Sequence, residues 1–249
     1  MIRDLHRRRG RERRGLALAE GVRLVEEVLA ANVECRSVLT SPALEATDRG
    51  RALKRALETR GVPHAEASDD DLVELAATEH PQGVIAVIAP RAWRLDDIAI
   101  DHRAVLVVLD ALQDPGNVGT IVRTALALGA RGVVALPGTA ELANPKVLRA
   151  SMGALFRLPS VAASEAEVTA WLARNRITVV ATAAAGTPLA TATLPRPLAF
   201  VLGNEGAGLV SGLGRDAALT VAIPLAPGAE SLNVAVAAGI FLYGACRDR

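Results

Sequence analysis

The order of apolar and polar positions divides the chain into two stretches of different rhythm. In "LALAEGVRLVEEVLAAN" the apolar residues Leu18, Val22, Val25 and Leu29 recur at helical spacing, which predicts one helix over the segment. "CRSVLTS" reads as a strand, "TDRGRALKRALETRG" as a helix closed at Gly61, and "SDDDLVELAAT" as a short acidic helix. Ser68 followed by Asp71 resembles a capping arrangement, and three acids near a helix start suit its dipole. "GVIAVIAP" closes this part as a buried strand. The stretch "PRAWRLDDIAIDHR" has no strong period and begins on a proline, so the domain boundary is expected there. That gives an accessory domain over 1–92, a linker over 93–103 and a second domain over 104–249.

From Ala104 the pattern is plainer. "AVLVVLD", "GVVAL", "ITVVATAA", "PLAFVLG" and "LTVAIPL" are short β-branched runs separated by helical stretches. Continuous apolar strands alternating with helices indicate an α/β class, with a parallel sheet covered on both faces. Ligands of such sheets sit beyond the carboxyl ends of the strands, so the segments after each strand carry the functional question.

Composition narrows the answer. With 51% hydrophobic and 22% charged residues over 249 positions the chain reads as a soluble protein of two domains, and aromatics at 2% require aliphatic cores. No membrane span is expected, and "MIRDLHRRRGRERR" is too polar for a secretory signal, which points to the cytoplasm. Cys35 and Cys246 lack metal-type spacing and the four histidines cluster with nothing, so no metal site is expected. Net charge is only +1, but residues 1–14 hold seven arginines against Asp4 and Glu12. That arm, with Arg7, Arg8 and Arg9, suits contact with phosphates; a solvated, frayed terminus is the competing reading. Residues 15–100 carry nine basic and fifteen acidic side chains, so any further basic patch must be local.

Three segments beyond strand ends stand out. In "LDALQDPGNVGTIVRTALALGA" the helix restarts after Asp114-Pro115-Gly116-Asn117 with Arg123 in its second turn, where the positive end of the dipole disfavours a cation. In "FVLGNEGAGL" Gly203, Gly206 and Gly208 follow a strand directly, and glycines there permit close backbone approach to a ligand. Their order is not the dinucleotide fingerprint, and no Walker-type Gly-Lys-Ser/Thr occurs, so neither a nicotinamide cofactor nor an ATP phosphate site is expected. In "IPLAPGAESLNVAVAAGIFLYGA" Ser231, Leu232 and Asn233 open a long apolar helix. Taken singly, Ser231 and Asn233 suit a helix cap and Glu205 a first-turn acid. Taken together, polar groups from three strand ends converge only at a common edge of the sheet.

These three segments, in this order, closely resemble the motifs of SpoU-type RNA ribose 2′-O-methyltransferases of the SPOUT superfamily, over about residues 104–249. "ANPKVLRASMGALFRLP" resembles the same family, and "LALAEGVRLVEEVLAANVECRSVLTS" is similar to the accessory domain before many such catalytic domains, a fold shared with small RNA-binding ribosomal proteins. The resemblance implies a trefoil-knotted catalytic domain, S-adenosylmethionine as cofactor, an RNA substrate and a homodimer packed through the knot regions. It implies cofactor contacts at Leu202, Gly203, Asn204, Gly206, Ile223, Leu225, Ser231 and Leu232, with Gly228 allowing a tight turn. The catalytic group it implies is Arg123 with Asn117, Glu205, Ser231 and Asn233, and Arg123 would also meet the RNA. A guanidinium is a poor base. Two roles therefore stay open for Arg123: binding phosphate or the developing alkoxide, or taking the proton in a closed site. Ribosomal RNA of the large subunit is the expected substrate. A tRNA ribose methyltransferase, and a non-catalytic RNA-binding or ribosome-assembly factor, are the alternatives.

Overall fold

The computed structural model describes residues 1–204 and 206–246, which form two compact units. The first takes in Met1–Arg91 together with Ala143–Phe156, and the second Ala92–Leu142 and the chain from Arg157 onward. The linker expected over 93–103 falls within the second unit.

In the first unit the arginine-rich arm is folded. Helices α1 (Ile2–Leu5) and α2 (Arg8–Arg14) turn back on each other. Leu5 is fully buried and joins a core of Leu18, Leu72, Ile85 and Val87. Arg11 is buried as well and donates to the carbonyls of Leu5 and His6, both at 2.9 Å. Asp4 accepts from Arg13 and Arg14 at 2.8 Å, and the Arg14 hydrogen bond holds its carboxyl below the ordinary range. The frayed-terminus reading is therefore overturned: an apolar anchor and a buried guanidinium fix this segment.

The helix expected over "LALAEGVRLVEEVLAAN" is in fact a strand, β1 (Ala17–Glu20), followed by helix α3 (Val22–Ala30). Gly21, at φ +95°, breaks the two apart, and all four strand residues are buried, so their spacing carries no period. Strand β2 (Glu34–Thr40), helix α4 (Asp48–Thr59), strand β3 (His64–Glu66), helix α5 (Asp69–Leu75) and strand β4 (Val84–Ala89) follow as the sequence predicts, with the small β3 as an addition. Ser68 does cap α5, accepting from the Asp71 N–H at 3.1 Å. The sheet runs β1-β4-β2-β3, with β4 antiparallel to both neighbours and β3 parallel to β2. A helix from later in the chain, Pro145–Ser151, packs on β1. Its Arg149 lies 3.9 Å from the buried carboxylate of Glu20, which also accepts from the Ala77 N–H at 2.8 Å.

The second unit is the expected parallel sheet. Its strands are β5 (Val105–Leu109), β6 (Gly132–Ala135), β7 (Ser160–Ala162), β8 (Thr178–Pro188), β9 (Leu198–Leu202) and β10 (Leu219–Ala222). They lie in the order β10-β8-β9-β5-β6-β7, every pairing parallel. The central β5 and β9 are buried throughout, because both faces are covered. One face, with Leu106, Val108 and Val201, packs on Trp171 and Leu172 of helix α8 (Glu165–Arg174). The other receives helices α6 (Pro115–Leu128) and α10 (Val234–Cys246), which pack on each other, with the ring of Phe241 of α10 tilted at 38° and 5.6 Å from that of Phe200 of β9. The Pro145–Ser151 helix is α7 in chain order, and the short α9 (Gly212–Arg215) follows β9. Among the described residues no helix is long and apolar enough to cross a membrane.

Candidate active site

The carboxyl end of β5 leads into α6 through a left-handed residue, Ala111 at φ +55°. Asp114 caps the helix, accepting from the Asn117 N–H at 2.7 Å, and Pro115, which has no N–H to satisfy, occupies the first helical position. The helix thus begins earlier than the sequence suggested. Asn117 lies in its first turn, and Arg123, its ninth residue, lies in the third rather than the second. At that distance the dipole penalty has faded. The guanidinium is exposed, and among the described residues no carboxylate pairs with it.

The helix carrying the third motif starts beside the first. Asn233 Oδ1 accepts from the N–H groups of Ala235 at 2.9 Å and Val236 at 3.3 Å, so this side chain caps α10. Its Nδ2 meanwhile donates to Asn117 Oδ1 at 3.0 Å. Capping and joining the motifs are done by opposite ends of one amide. Ser231 and Leu232 are exposed just before it.

The second motif is tied to the first by another amide. Asn204 Nδ2 donates to the Ala111 carbonyl at 3.0 Å, and its Oδ1 accepts from the Gly206 N–H at 2.8 Å and the Ala207 N–H at 3.2 Å. The backbones of Asn204 and Gly208 exchange hydrogen bonds at 2.8 and 2.9 Å. A Cβ on Gly203 would lie 2.5 Å from the Gly208 carbonyl, so only glycine permits this closed turn. Leu202 is buried, Gly203, Ile223 and Leu225 are half-buried, and Gly206 and Gly228 are exposed. Glu205 lies outside the described residues.

Sequence reasoning missed Asp110. The carboxylate is buried at the end of β5, and its Oδ2 accepts from the N–H groups of Val210 and Ser211, both at 2.8 Å, and from Ser211 Oγ at 2.9 Å. The one available signal was an acid closing the apolar run "AVLVVLD". A cavity of about 950 Å³ also lies in this unit, between the amino ends of β5 and β9 and the later half of α10, at Val105, Arg196, Leu189 and Tyr243. Of the residues expected to hold a cofactor it takes in Ile223 alone. In the first unit Arg7, Arg8 and Arg9 are exposed, Arg8 pairing with Glu12 at 2.7 Å. No group of three or more potential ligands that could hold a metal occurs among the described residues.

The model of the SpoU rRNA Methylase family matches residues 104–243, and that of the MRM3-like substrate binding domain matches residues 1–86. The 23S rRNA (guanosine(2553)-2′-O)-methyltransferase RlmP of Bacillus subtilis is 36% identical, over 96% of this chain and 92% of that protein. The 23S rRNA (uridine(2479)-2′-O)-methyltransferase of Streptomyces viridochromogenes is 34% identical, over 98% of this chain and 87% of that one. Among solved structures, the SpoU methyltransferase AviRb from Streptomyces viridochromogenes in complex with AdoMet has a TM-score of 0.89 at 33% identity, covering 99% of this chain and 95% of that one. An AdoMet-bound rRNA methyltransferase from Sinorhizobium meliloti has a TM-score of 0.86 at 32% identity, covering 99% and 93%. With its model matching residues 104–243 and relatives 34–36% identical over nearly the whole chain, the chain belongs to the SpoU rRNA methylase family.

Proposed function

We propose that this protein transfers a methyl group from S-adenosylmethionine to a ribose 2′-hydroxyl of 23S ribosomal RNA. The observation that carries the reading is the meeting of the three motifs: Asn117 with Asn233, and Asn204 with the Ala111 carbonyl. Relatives spanning nearly the whole chain are named for 23S rRNA, which favours that substrate over tRNA. The cofactor fits the residues present. Ile223, Leu225 and Leu232 offer apolar side chains, and Gly206 and Gly228 are exposed glycines; apolar faces with accessible backbone suit the face and edge of an adenine.

When bound, S-adenosylmethionine supplies the methyl electrophile. The chain's own residues orient and manage charge. Arg123, which is exposed, is the donor to an RNA phosphate or to the alkoxide developing on the ribose, and the proton leaves to water or phosphate. Ser231 and Glu205 belong to the same group by motif position. Arg7, Arg8 and Arg9 meet phosphates and orient the RNA without reading a base. The trefoil knot belongs to this reading, supported by the family. So does a homodimer: Val236, Ile240 and Tyr243 are exposed at spacing that forms one apolar stripe along α10. A cytoplasmic setting follows from an rRNA substrate.

The test is transfer of tritiated methyl from S-adenosylmethionine to 23S rRNA, with cofactor binding followed by calorimetry. Arg123→Ala should keep cofactor affinity within about twofold and lower turnover by about 100-fold or more, the range of lost electrostatic stabilisation. Near-native turnover overturns the role of Arg123. A chain that binds RNA but no cofactor is instead the non-catalytic factor.

A further inference from the structure

We infer that Asp110 is a positioning residue that shapes the loop after β9 to receive S-adenosylmethionine; the inference rests on the assignment of that loop to the cofactor. Asp110 holds the loop at both ends. Its backbone N–H donates at 2.9 Å to the carbonyl of Leu202, the last residue of β9. Its carboxylate takes three donors from Val210 and Ser211, where the loop returns to α9. The next residue, Ala111, adopts a left-handed conformation uncommon for a side chain bearing Cβ, and its carbonyl takes the Asn204 amide at the start of the loop.

Three features separate this from ordinary helix capping. Ser211 already caps α9, its Oγ accepting from the Gly214 N–H at 3.2 Å, so the carboxylate is not needed for that. Asp110 is only 2% exposed, and a buried carboxylate is costly unless its hydrogen bonds are charge-assisted and complete. Among the described residues of the segment it holds, Leu209 alone packs against the core, and Gly206, Ala207, Gly208 and Val210 are exposed. Apart from the Leu209 anchor, the shape of the loop therefore depends on its hydrogen bonds. Weakening them leaves the loop closed for a fraction of the time, and the cofactor affinity falls by that fraction.

The experiment compares the full-length native protein with Asp110→Asn and Ser211→Ala. Calorimetry gives the Kd for S-adenosylmethionine, and steady-state methyl transfer gives kcat and the two KM values. Asp110→Asn should raise both Kd and KM for the cofactor about tenfold, leaving the RNA KM and kcat at saturating cofactor within about twofold. Ser211→Ala, which removes one donor of three together with the α9 cap, should raise the cofactor Kd about threefold. A merely structural role lowers kcat with the folded fraction and moves neither KM; that result overturns the inference, as does a native cofactor Kd in folded Asp110→Asn. Should Asp110→Asn fail to fold, an unchanged Kd in Ser211→Ala overturns it. A native protein that binds no S-adenosylmethionine removes the functional assignment and this inference together, whereas native binding with indifferent variants removes this inference alone.

Discussion

Asn233 does two things with one side chain, and the two are separable. Replacing it by alanine removes the acceptor for the Ala235 and Val236 N–H groups and also the donor to Asn117. Loss of a helix cap costs about 1 kcal/mol, which lowers Tm by about 2–4 °C in a domain of this size. Serine keeps a capping oxygen, but its side chain ends one atom short of the amide nitrogen that reaches α6. Asn233→Ser should therefore stay within about 0.5 kcal/mol of the native stability, since serine and asparagine cap almost equally well. The lost hydrogen bond is worth about 1 kcal/mol, or roughly fivefold in rate. Displacing the start of α10 from α6 adds misorientation of the reacting groups, which brings the expected loss of kcat to about 10–100-fold. Thermal denaturation and tritiated-methyl transfer, run on the native chain, Asn233→Ser and Asn233→Ala, give the comparison. Native turnover in Asn233→Ser, with only Asn233→Ala impaired, means that the residue is a cap and nothing more.

Gly203→Ala sets a Cβ 2.5 Å from the backbone of Gly208, so the Asn204–Gly208 exchange of hydrogen bonds must open. Two such bonds are worth about 2 kcal/mol, and calorimetry should show cofactor affinity reduced by about 30-fold; unchanged affinity rules out this loop as the cofactor's seat. In the arm, Arg11→Ala should destabilise the first unit by about 2 kcal/mol through two orphaned carbonyls and lost packing, measured by denaturant unfolding. Arg9→Ala should leave stability unchanged and weaken RNA binding while flattening its salt dependence by about one unit of slope; equal salt slopes exclude a phosphate contact there.

Much of this fold is legible because periodicity reports burial. "AVLVVLD" and "PLAFVLG" are unbroken apolar runs, and the corresponding strands are buried on both faces. The same logic misleads at Ala17–Glu20, where four consecutive buried residues continue the spacing of the helix that follows and only Gly21 marks the break. The three-residue β7 offers too short a pattern to read. The arm misleads differently: seven arginines suggest solvent, yet Arg11 is buried because its neighbours supply carbonyls that composition does not record. Nor does the sequence say that Pro145–Ser151, placed between the first two motifs, packs on β1. That contact joins residues more than a hundred positions apart, and its local pattern is that of any amphipathic turn of helix.

At the candidate site, the residues that the sequence singles out are those whose chemistry is rare in their setting: amides and a cation among apolar helices, and glycines directly after a strand. Asp110 was not, because an acid at a strand end is common and its meaning lies in what folds back onto it. The loop after β9 returns to that carboxylate a hundred residues later in the chain, and neither partner carries a mark in its own neighbourhood. The same holds for the pairing of Asn117 with Asn233: each residue alone is explained by a helix start, and indeed Asn233 is a cap. Only the convergence distinguishes a site from two well-formed helix ends. Variants that keep each local role while breaking the link between them, as Asn233→Ser does, therefore test function more sharply than deletions of whole side chains.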